Sequence, residues 1–334
     1  MAPIGRREFL GTAASVALPA AAQQTGRVVV VGDVHGDLDR LVDVLSMAGL
    51  VGDRQEWTGG TAQLVQLGDL VDRGPRSREV IEYLQKLEKE ARKAQGRVWR
   101  LIGNHEAMRM FGDLRDVPAQ EYGLYANRKS QAAREKLYQL HIAQMEASGD
   151  PRKRLDLSLG YRQQWEKEHP LGEMELLQAF SAQGVYGKWL VEQRAALRLA
   201  DTLFVHAGIS PKYAEWSESR LNSRVKEELT AGGRQGEDAV CRDLEGPLWW
   251  RGFAQDSEAS LEAHVGQLLS RHGVKRIIVG HVPTGGRGVV SRLGGKLVLA
   301  DVGLSSQYGG RRACVVIEGG VAAALDQGKR LQLK

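Results

Sequence analysis

Five short apolar runs in this chain each end on residues that can bind metal ions. Asp33 and His35 follow Val28 to Val31, and Asp69 follows Leu64 to Leu67. Asn104 and His105 follow Val98 to Ile102, His206 follows Thr202 to Val205, and His281 follows Arg276 to Val279. Carboxylate, amide and imidazole donors in one set suit manganese, iron or zinc, whereas structural zinc sites draw on thiolates. A carboxylate in such a set can also bridge two cations.

The elements that must hold these residues can be read from periodicity. The apolar runs have the length and β-branched content of strands, and helical spacing follows two of them. Leu38, Leu41, Val42 and Leu45 form one helix face, and Val80, Ile81, Leu84 and Leu87 form another in a helix beginning near Pro75. Further strands are expected at Leu297 to Ala300 and Cys314 to Ile317. Alternating strands and helices predict an α/β fold. In such sheets ligands collect beyond the carboxyl ends of the strands, so five separate loops can converge on one pocket.

Each residue alone has an ordinary reading. Asp33 beside a glycine could cap a helix, Asp69 and Asp72 could cap the next one, and Asn104 could sit in a left-handed turn. His206 and His281 could be hydrogen-bonded core histidines, and Arg73 or Arg251 could pair with local acids. His141, His169, His264 and His272 stand in polar helical surroundings and are given no role.

Taken together, the motifs carry a resemblance. Gly32-Asp33-Val34-His35-Gly36, Gly68-Asp69-Leu70-Val71-Asp72-Arg73-Gly74 and Gly103-Asn104-His105-Glu106 resemble the three signatures of the phosphoprotein phosphatase family of metallophosphoesterases. Phe204-Val205-His206-Ala207-Gly208 and Val279-Gly280-His281-Val282-Pro283 are similar to the family's two later histidine motifs. Asn104-His105-Glu106-Ala107-Met108 with Gly112-Asp113-Leu114-Arg115 most resembles the bacterial Shewanella-like branch. Each motif is short, but five in order, each after a strand, make a specific pattern.

The resemblance implies a calcineurin-like β-sandwich flanked by helices, holding two divalent cations, manganese first and iron or zinc as alternatives. It places Asp33, His35 and Asp69 on one cation and Asp69, Asn104, His206 and His281 on the other, with Asp69 as bridge. Two cations about 4 Å apart would acidify a shared water and clamp the phosphate for in-line attack by a bridging hydroxide. His105 would then protonate the leaving oxygen, Asp72 would orient and charge its imidazole, and Arg73 would hold a phosphate oxygen. Arg251, in Leu248-Trp249-Trp250-Arg251-Gly252, is a candidate second clamp.

The expected activity is hydrolysis of phosphomonoesters on phosphoproteins, at Ser/Thr or Tyr. A nucleotide or dinucleoside polyphosphate hydrolase is the alternative, and a non-catalytic metal- or phosphate-binding module a remote one. Two departures from the family pattern concern substrate choice. A polar stretch between Asn104 and His206 predicts a helical insert at about 111–200. Asp301-Val302-Gly303-Leu304-Ser305 stands where the eukaryotic enzymes carry Ser-Ala-Pro-Asn-Tyr. A dinucleotide-binding protein is disfavoured, because Val31-Gly32-Asp33 lacks the Gly-x-Gly-x-x-Gly turn.

Composition bounds the rest. The 334 residues, 42% hydrophobic and 26% charged, suit one folded catalytic domain with an insert. The net charge of +5 is spread along the chain without long basic blocks, so anionic substrates are expected and nucleic acid is not. Arg6 and Arg7, the apolar stretch Phe9 to Leu18 and Ala20 to Ala22 read as a twin-arginine export signal over residues 1–22. Residues 23–334 would then be the mature catalytic domain in a bacterial periplasm. The apolar stretch is too short to span a bilayer, so no stable membrane insertion is expected. Cys241 and Cys314 lack Cys-x-x-Cys spacing; a buried Cys314 is expected, and a single disulfide stays open for an exported chain.

Overall fold

A computed structural model describes residues 26–147, 159–233 and 239–333. The export segment and the basic run Arg152-Lys153-Arg154 lie outside the described residues. The strands are β1 (Val28–Val31), β2 (Gln63–Gln66), β3 (Arg97–Arg100), β4 (Ala196–Leu199), β5 (Thr202–Val205), β6 (Arg276–Val279), β7 (Val290–Arg292), β8 (Leu297–Leu299), β9 (Ala313–Glu318), β10 (Val321–Asp326) and β11 (Lys329–Gln332). Between them lie helices α1 (Leu38–Met47), α2 (Ser77–Lys93), α3 (Asn104–Met110), α4 (Ala119–Tyr125), α5 (Ser130–Ala147), α6 (Leu159–Glu168), α7 (Glu173–Phe180), α8 (Gly187–Leu190), α9 (Glu218–Thr230), α10 (Gly252–Gln255) and α11 (Glu258–His272).

The strands form two sheets, in the orders β11-β10-β9-β1-β2-β3 and β4-β5-β6-β8-β7. β1 shows why they stack. Its four valines are all buried, Val28 and Val30 in a layer with Phe204, Ile278 and Val298 from the facing sheet, Val29 and Val31 in the layer under the helices. A strand buried on both faces reads as a continuous apolar run, which is what Val28 to Val31 is. The expected sandwich flanked by helices is the fold observed.

Register then sets the site. β1 and β2 run parallel with Val31 opposite Gln66, so the loops carrying Asp33 and Asp69 leave from the same end. β5 and β6 run parallel with Val205 opposite Val279, which does the same for His206 and His281. β8 joins β6 in parallel with Leu299 opposite Val279, so Asp301 emerges there too.

Of the boundaries that differ from the sequence reading, three have a clear local reason. β2 stops at Gln66 because the carbonyl of Leu67 turns away to accept the His206 ring at 2.8 Å. β3 stops at Arg100 because the next residues pair with the segment at Arg194, whose carbonyl accepts the Ile102 amide at 3.0 Å. α2 starts at Ser77, two residues after Pro75, where the Ser77 amide donates to the Glu121 carboxylate at 2.7 Å. A carboxylate from a distant helix thus takes the place of a local cap.

Between β3 and β4 the chain forms α4 to α8. α7 packs on α3, α4 and α5, burying Leu176 and Phe180. Both cysteines are buried and free. Among the described residues, no helix is long and apolar enough to cross a membrane.

Candidate active site

All six expected metal ligands converge at one end of the two sheets, and each is buried. α1 is capped by Asp37, whose side chain accepts from the Arg40 amide, so Asp33 does not cap it and instead accepts the His281 amide at 3.1 and 3.2 Å. Asn104 opens α3 in a helical conformation and has no left-handed φ.

Two groups of possible donor atoms share the Asp69 carboxylate, and the first takes in His105 where Asp33 was expected. Atoms of His35, Asp69 and His105 lie within 4.8 Å of one another, as do those of Asp69, His206 and His281. His35 Nε2 stands 3.9 Å from an oxygen of Asp33 and 3.9 Å from one of Asp69. His206 Nε2 stands 3.1 Å from Asn104 Oδ1 and 3.5 Å from Asp69 Oδ2.

The tautomers are set by what each ring meets on its other side. His35 Nδ1 faces the Val71 carbonyl at 3.1 Å and His206 Nδ1 faces the Leu67 carbonyl at 2.8 Å. A carbonyl can only accept, so both Nδ1 atoms carry the proton, and in the neutral rings both Nε2 lone pairs point at oxygens. Lone pairs facing lone pairs repel unless a cation stands between them, and a histidine anchored through its other nitrogen is the usual metal-ligand arrangement. His281 adds a buried Nε2 with no hydrogen-bond partner. The donor set therefore fits divalent cations.

Electrostatics point the same way. Burial pushes the Asp33 carboxyl well above the usual carboxylate range, helped by Asp301 and Asp69. Burial pushes the Asp301 carboxyl up to about 6. Burial would raise Asp69 as well, but His206 and His105 hold it well below that range. Burial lowers His35 to about 4 and His281 to about 3, so both are neutral donors at ordinary pH. His206 is raised because Asp69 outweighs the burial. Asp33, Asp69, Glu106 and Asp301 form a buried cluster of acids that positive charge must offset.

Asp72 and His105 form a pair beside this cluster, with His105 Nδ1 2.8 Å from Asp72 Oδ2. Burial would lower the His105 pKa, but Asp69 and Asp72 raise it above its ordinary value. Arg73 is exposed at the mouth, with its guanidinium 5.3 Å from the Tyr308 ring centre and Nη2 3.9 Å from Asp116. Tyr308 itself lies 5.4 Å from the His35 ring. Arg251 is exposed, and its charge helps to lower His281.

The backbone is strained to make this site. His35, Asp69, Asp72, Arg73 and His281 have φ of 47°, 53°, 71°, 67° and 68°, half of the ten left-handed non-glycine residues among those described. Such conformations cost on the order of 1 kcal/mol each and cluster where function needs them. Close packing accounts for the motif glycines: a Cβ on Gly103 would sit 2.1 Å from Asp69 Oδ1, and one on Gly74 2.2 Å from the His35 carbonyl.

Three residues here escaped the sequence reading. Glu106, fully buried, accepts the amides of Gly103, Asp69, Leu70 and Val71 at 2.7 to 3.2 Å, tying the Asp69 loop to the start of α3. Asp301 accepts the Gly303 amide through Oδ1 while its Oδ2 is buried without a partner. Arg109, also buried, reaches back to Asp72. The four histidines given no role all have local partners, His141 on Tyr161, His169 on Glu173, His264 on the Ile209 carbonyl and His272 on Glu218.

Comparison with known proteins agrees with this geometry. The calcineurin-like phosphoesterase family matches residues 26–285. The chain is 33% identical over 299 residues to an uncharacterized protein of Schizosaccharomyces pombe, covering 87% of this chain and 76% of that protein. It is 29% identical over 294 residues to Shewanella-like protein phosphatase 2 of Arabidopsis thaliana, covering 84% and 71%. In fold it is similar to the cold-active protein-tyrosine phosphatase of a psychrophilic Shewanella, with a TM-score of 0.66, 24% identity, and 92% and 80% coverage.

Proposed function

Because this chain belongs to the calcineurin-like phosphoesterases and is a hydrolase of phosphoesters, we propose that it removes phosphate from phosphoproteins at a two-cation centre. The observation that carries this reading is Asp69, whose Oδ2 stands 3.9 Å from His35 Nε2 and 3.5 Å from His206 Nε2, with the His105–Asp72 pair 2.8 Å apart beside it. Likeness to Shewanella-like protein phosphatase 2 supports a phosphoprotein substrate.

In this reading Asp33, His35 and Asp69 hold one cation, and Asp69, Asn104, His206 and His281 the other, with manganese the proposed metal. Bound there, the cations supply Lewis acidity, which lowers the pKa of a water and offsets phosphate charge. Arg73 and Arg251, both exposed, grip phosphate oxygens and hold phosphorus in line. His105, its Nδ1 committed to Asp72, presents Nε2 as the proton donor to the leaving oxygen. Asp72 keeps the ring oriented and, together with Asp69, holds its pKa above the ordinary value, which favours the protonated donor.

The test is turnover by metal-stripped protein resupplied with manganese, on phosphoserine and phosphotyrosine peptides and a dinucleoside polyphosphate. Manganese-dependent release from a phosphopeptide is the expected result; release from the dinucleoside polyphosphate alone would overturn the substrate assignment. Export is proposed from residues 6–22 alone, and N-terminal sequencing of the protein from a periplasmic fraction tests it.

A further inference from the structure

We propose that Arg109 and Glu121 are positioning residues for the leaving-group acid, so that the helical insert is a working part of the active site. The inference rests on the reading of His105 as proton donor.

A buried chain of charge runs from the insert to His105. Arg109, on the last turn of α3, has a side chain wholly shielded from solvent, as is that of Glu121 on α4. Arg109 Nε donates to Asp72 Oδ1 at 2.5 Å, Nη2 donates to Ser77 Oγ at 3.0 Å, and Nη2 meets Glu121 Oε2 at 2.7 Å. Glu121 Oε1 accepts the Ser77 amide at 2.7 Å, and Ser77 Oγ accepts the Asp72 amide at 3.0 Å. The ring of Phe180, from α7, lies 5.0 Å from the guanidinium carbon. Asp72, Ser77, Arg109 and Glu121 thus close a ring, and the one carboxylate oxygen left over, Asp72 Oδ2, takes His105 Nδ1 at 2.8 Å.

Stability alone is a poor reason for this arrangement. A fully buried arginine with two acids loses more hydration than the pairing returns, and apolar residues of similar volume would pack as well. What apolar residues could not do is fix a carboxylate. Asp72 sits at a left-handed φ of 71° and its two oxygens have one partner each, so its plane is set on both sides. A fixed Oδ2 fixes the imidazole, and with it the direction of Nε2.

The chemical step affected is narrow. As the attacking water oxygen bonds to phosphorus, the P–O bond to the leaving group breaks, its electron pair goes to the leaving oxygen, and that oxygen takes the proton from His105 Nε2; solvent later restores it. An alkoxide such as that of serine needs that proton, whereas dinitrophenolate leaves without it. Arg109 and Glu121 should therefore matter for alkyl phosphates and scarcely for activated aryl phosphates.

The experiment measures kcat and KM of manganese-loaded protein on a phosphoserine peptide and on 2,4-dinitrophenyl phosphate. The variants are Arg109→Met, Arg109→Lys, Glu121→Gln, His105→Asn and the double Arg109→Met/His105→Asn. Arg109→Met is expected to lower kcat on phosphoserine about 10- to 100-fold with KM within about threefold, and to change dinitrophenyl phosphate turnover less than about threefold. Arg109→Lys should recover part of the loss, and the double variant should be no slower than His105→Asn. Glu121→Gln, which keeps the side-chain shape, should show the same substrate contrast more weakly and carries the test if Arg109→Met does not fold. Equal losses on both substrates, a change in KM alone, or full additivity with His105→Asn would overturn the inference. If His105→Asn shows no substrate contrast, the proton-donor reading falls and this inference with it. If His105→Asn shows it while Arg109→Met and Glu121→Gln do not, only this inference falls.

Discussion

Glu106 offers the sharpest test of how the site is held. Its carboxylate accepts four buried amides, Leu70 and Val71 on Oε1, Asp69 and Gly103 on Oε2. In Glu106→Gln one of those oxygens becomes an NH2 group, which turns two N–H donors toward two others. Hydrogen bonds to a charged acceptor contribute about 1.5–3 kcal/mol each, so losing two should cost about 3–6 kcal/mol. At roughly 2 °C per kcal/mol for a chain of this size, the thermal midpoint of metal-free protein should fall by about 6–12 °C. The same bonds hold the Asp69 loop against the start of α3, which carries Asn104 and His105. Manganese affinity should therefore weaken by about 10- to 100-fold, as it does when outer partners of metal ligands are lost. Calorimetry and a manganese titration read the two effects. A midpoint within about 2 °C of the parent protein, with unchanged manganese affinity, would refute the reasoning.

Three further outcomes follow from the same geometry. The pKa of His105 is raised in the folded state above its ordinary 6.5 because Asp69 and Asp72 outweigh burial, so the stability it contributes is full below that pH and fades as pH rises through the folded value. The midpoint advantage of metal-free parent over His105→Asn should accordingly shrink from about pH 6 to pH 9 in thermal scans, and an advantage that grows would contradict it. Arg73→Ala should lower kcat/KM about 100-fold on alkyl and aryl phosphates alike, since the clamp acts on phosphate rather than on the leaving group; a loss under threefold would remove Arg73 from the site. Ile278→Ala, in the layer between the sheets, should destabilise by about 2–5 kcal/mol in denaturant melts while leaving kcat of the folded, manganese-loaded protein within about twofold, which separates scaffold from chemistry.

How much of this was legible in the sequence differs from residue to residue. Strand ends were readable because Val28 to Val31, Thr202 to Val205 and Arg276 to Val279 are apolar runs cut off by polar residues, and a sheet buried on both faces demands that pattern. The convergence of Asp33, Asp69, His206 and His281 followed from parallel register, which puts such ends together. Glu106 was visible as part of a motif but not as an amide acceptor, because its partners become neighbours only when the Asp69 loop folds over α3. Glu121 sits in a polar stretch that reads as solvated surface and Arg109 lies just before it, between Met108 and Met110, and nothing local says that the two bury each other's charge. Asp301 gave a departure from the family pattern without a role, since its place beside Asp33 depends on β8 pairing with β6.

The central claim is that Asp69 joins two cations in one site. Metal content and electron paramagnetic resonance of the manganese-reconstituted protein test it directly, comparing the parent with Asp69→Asn. Two manganese ions per chain with a spin-coupled spectrum are expected in the parent, and loss of the coupling with at least one ion released in Asp69→Asn. One ion per chain in the parent, or two uncoupled ions that Asp69→Asn leaves untouched, would contradict it.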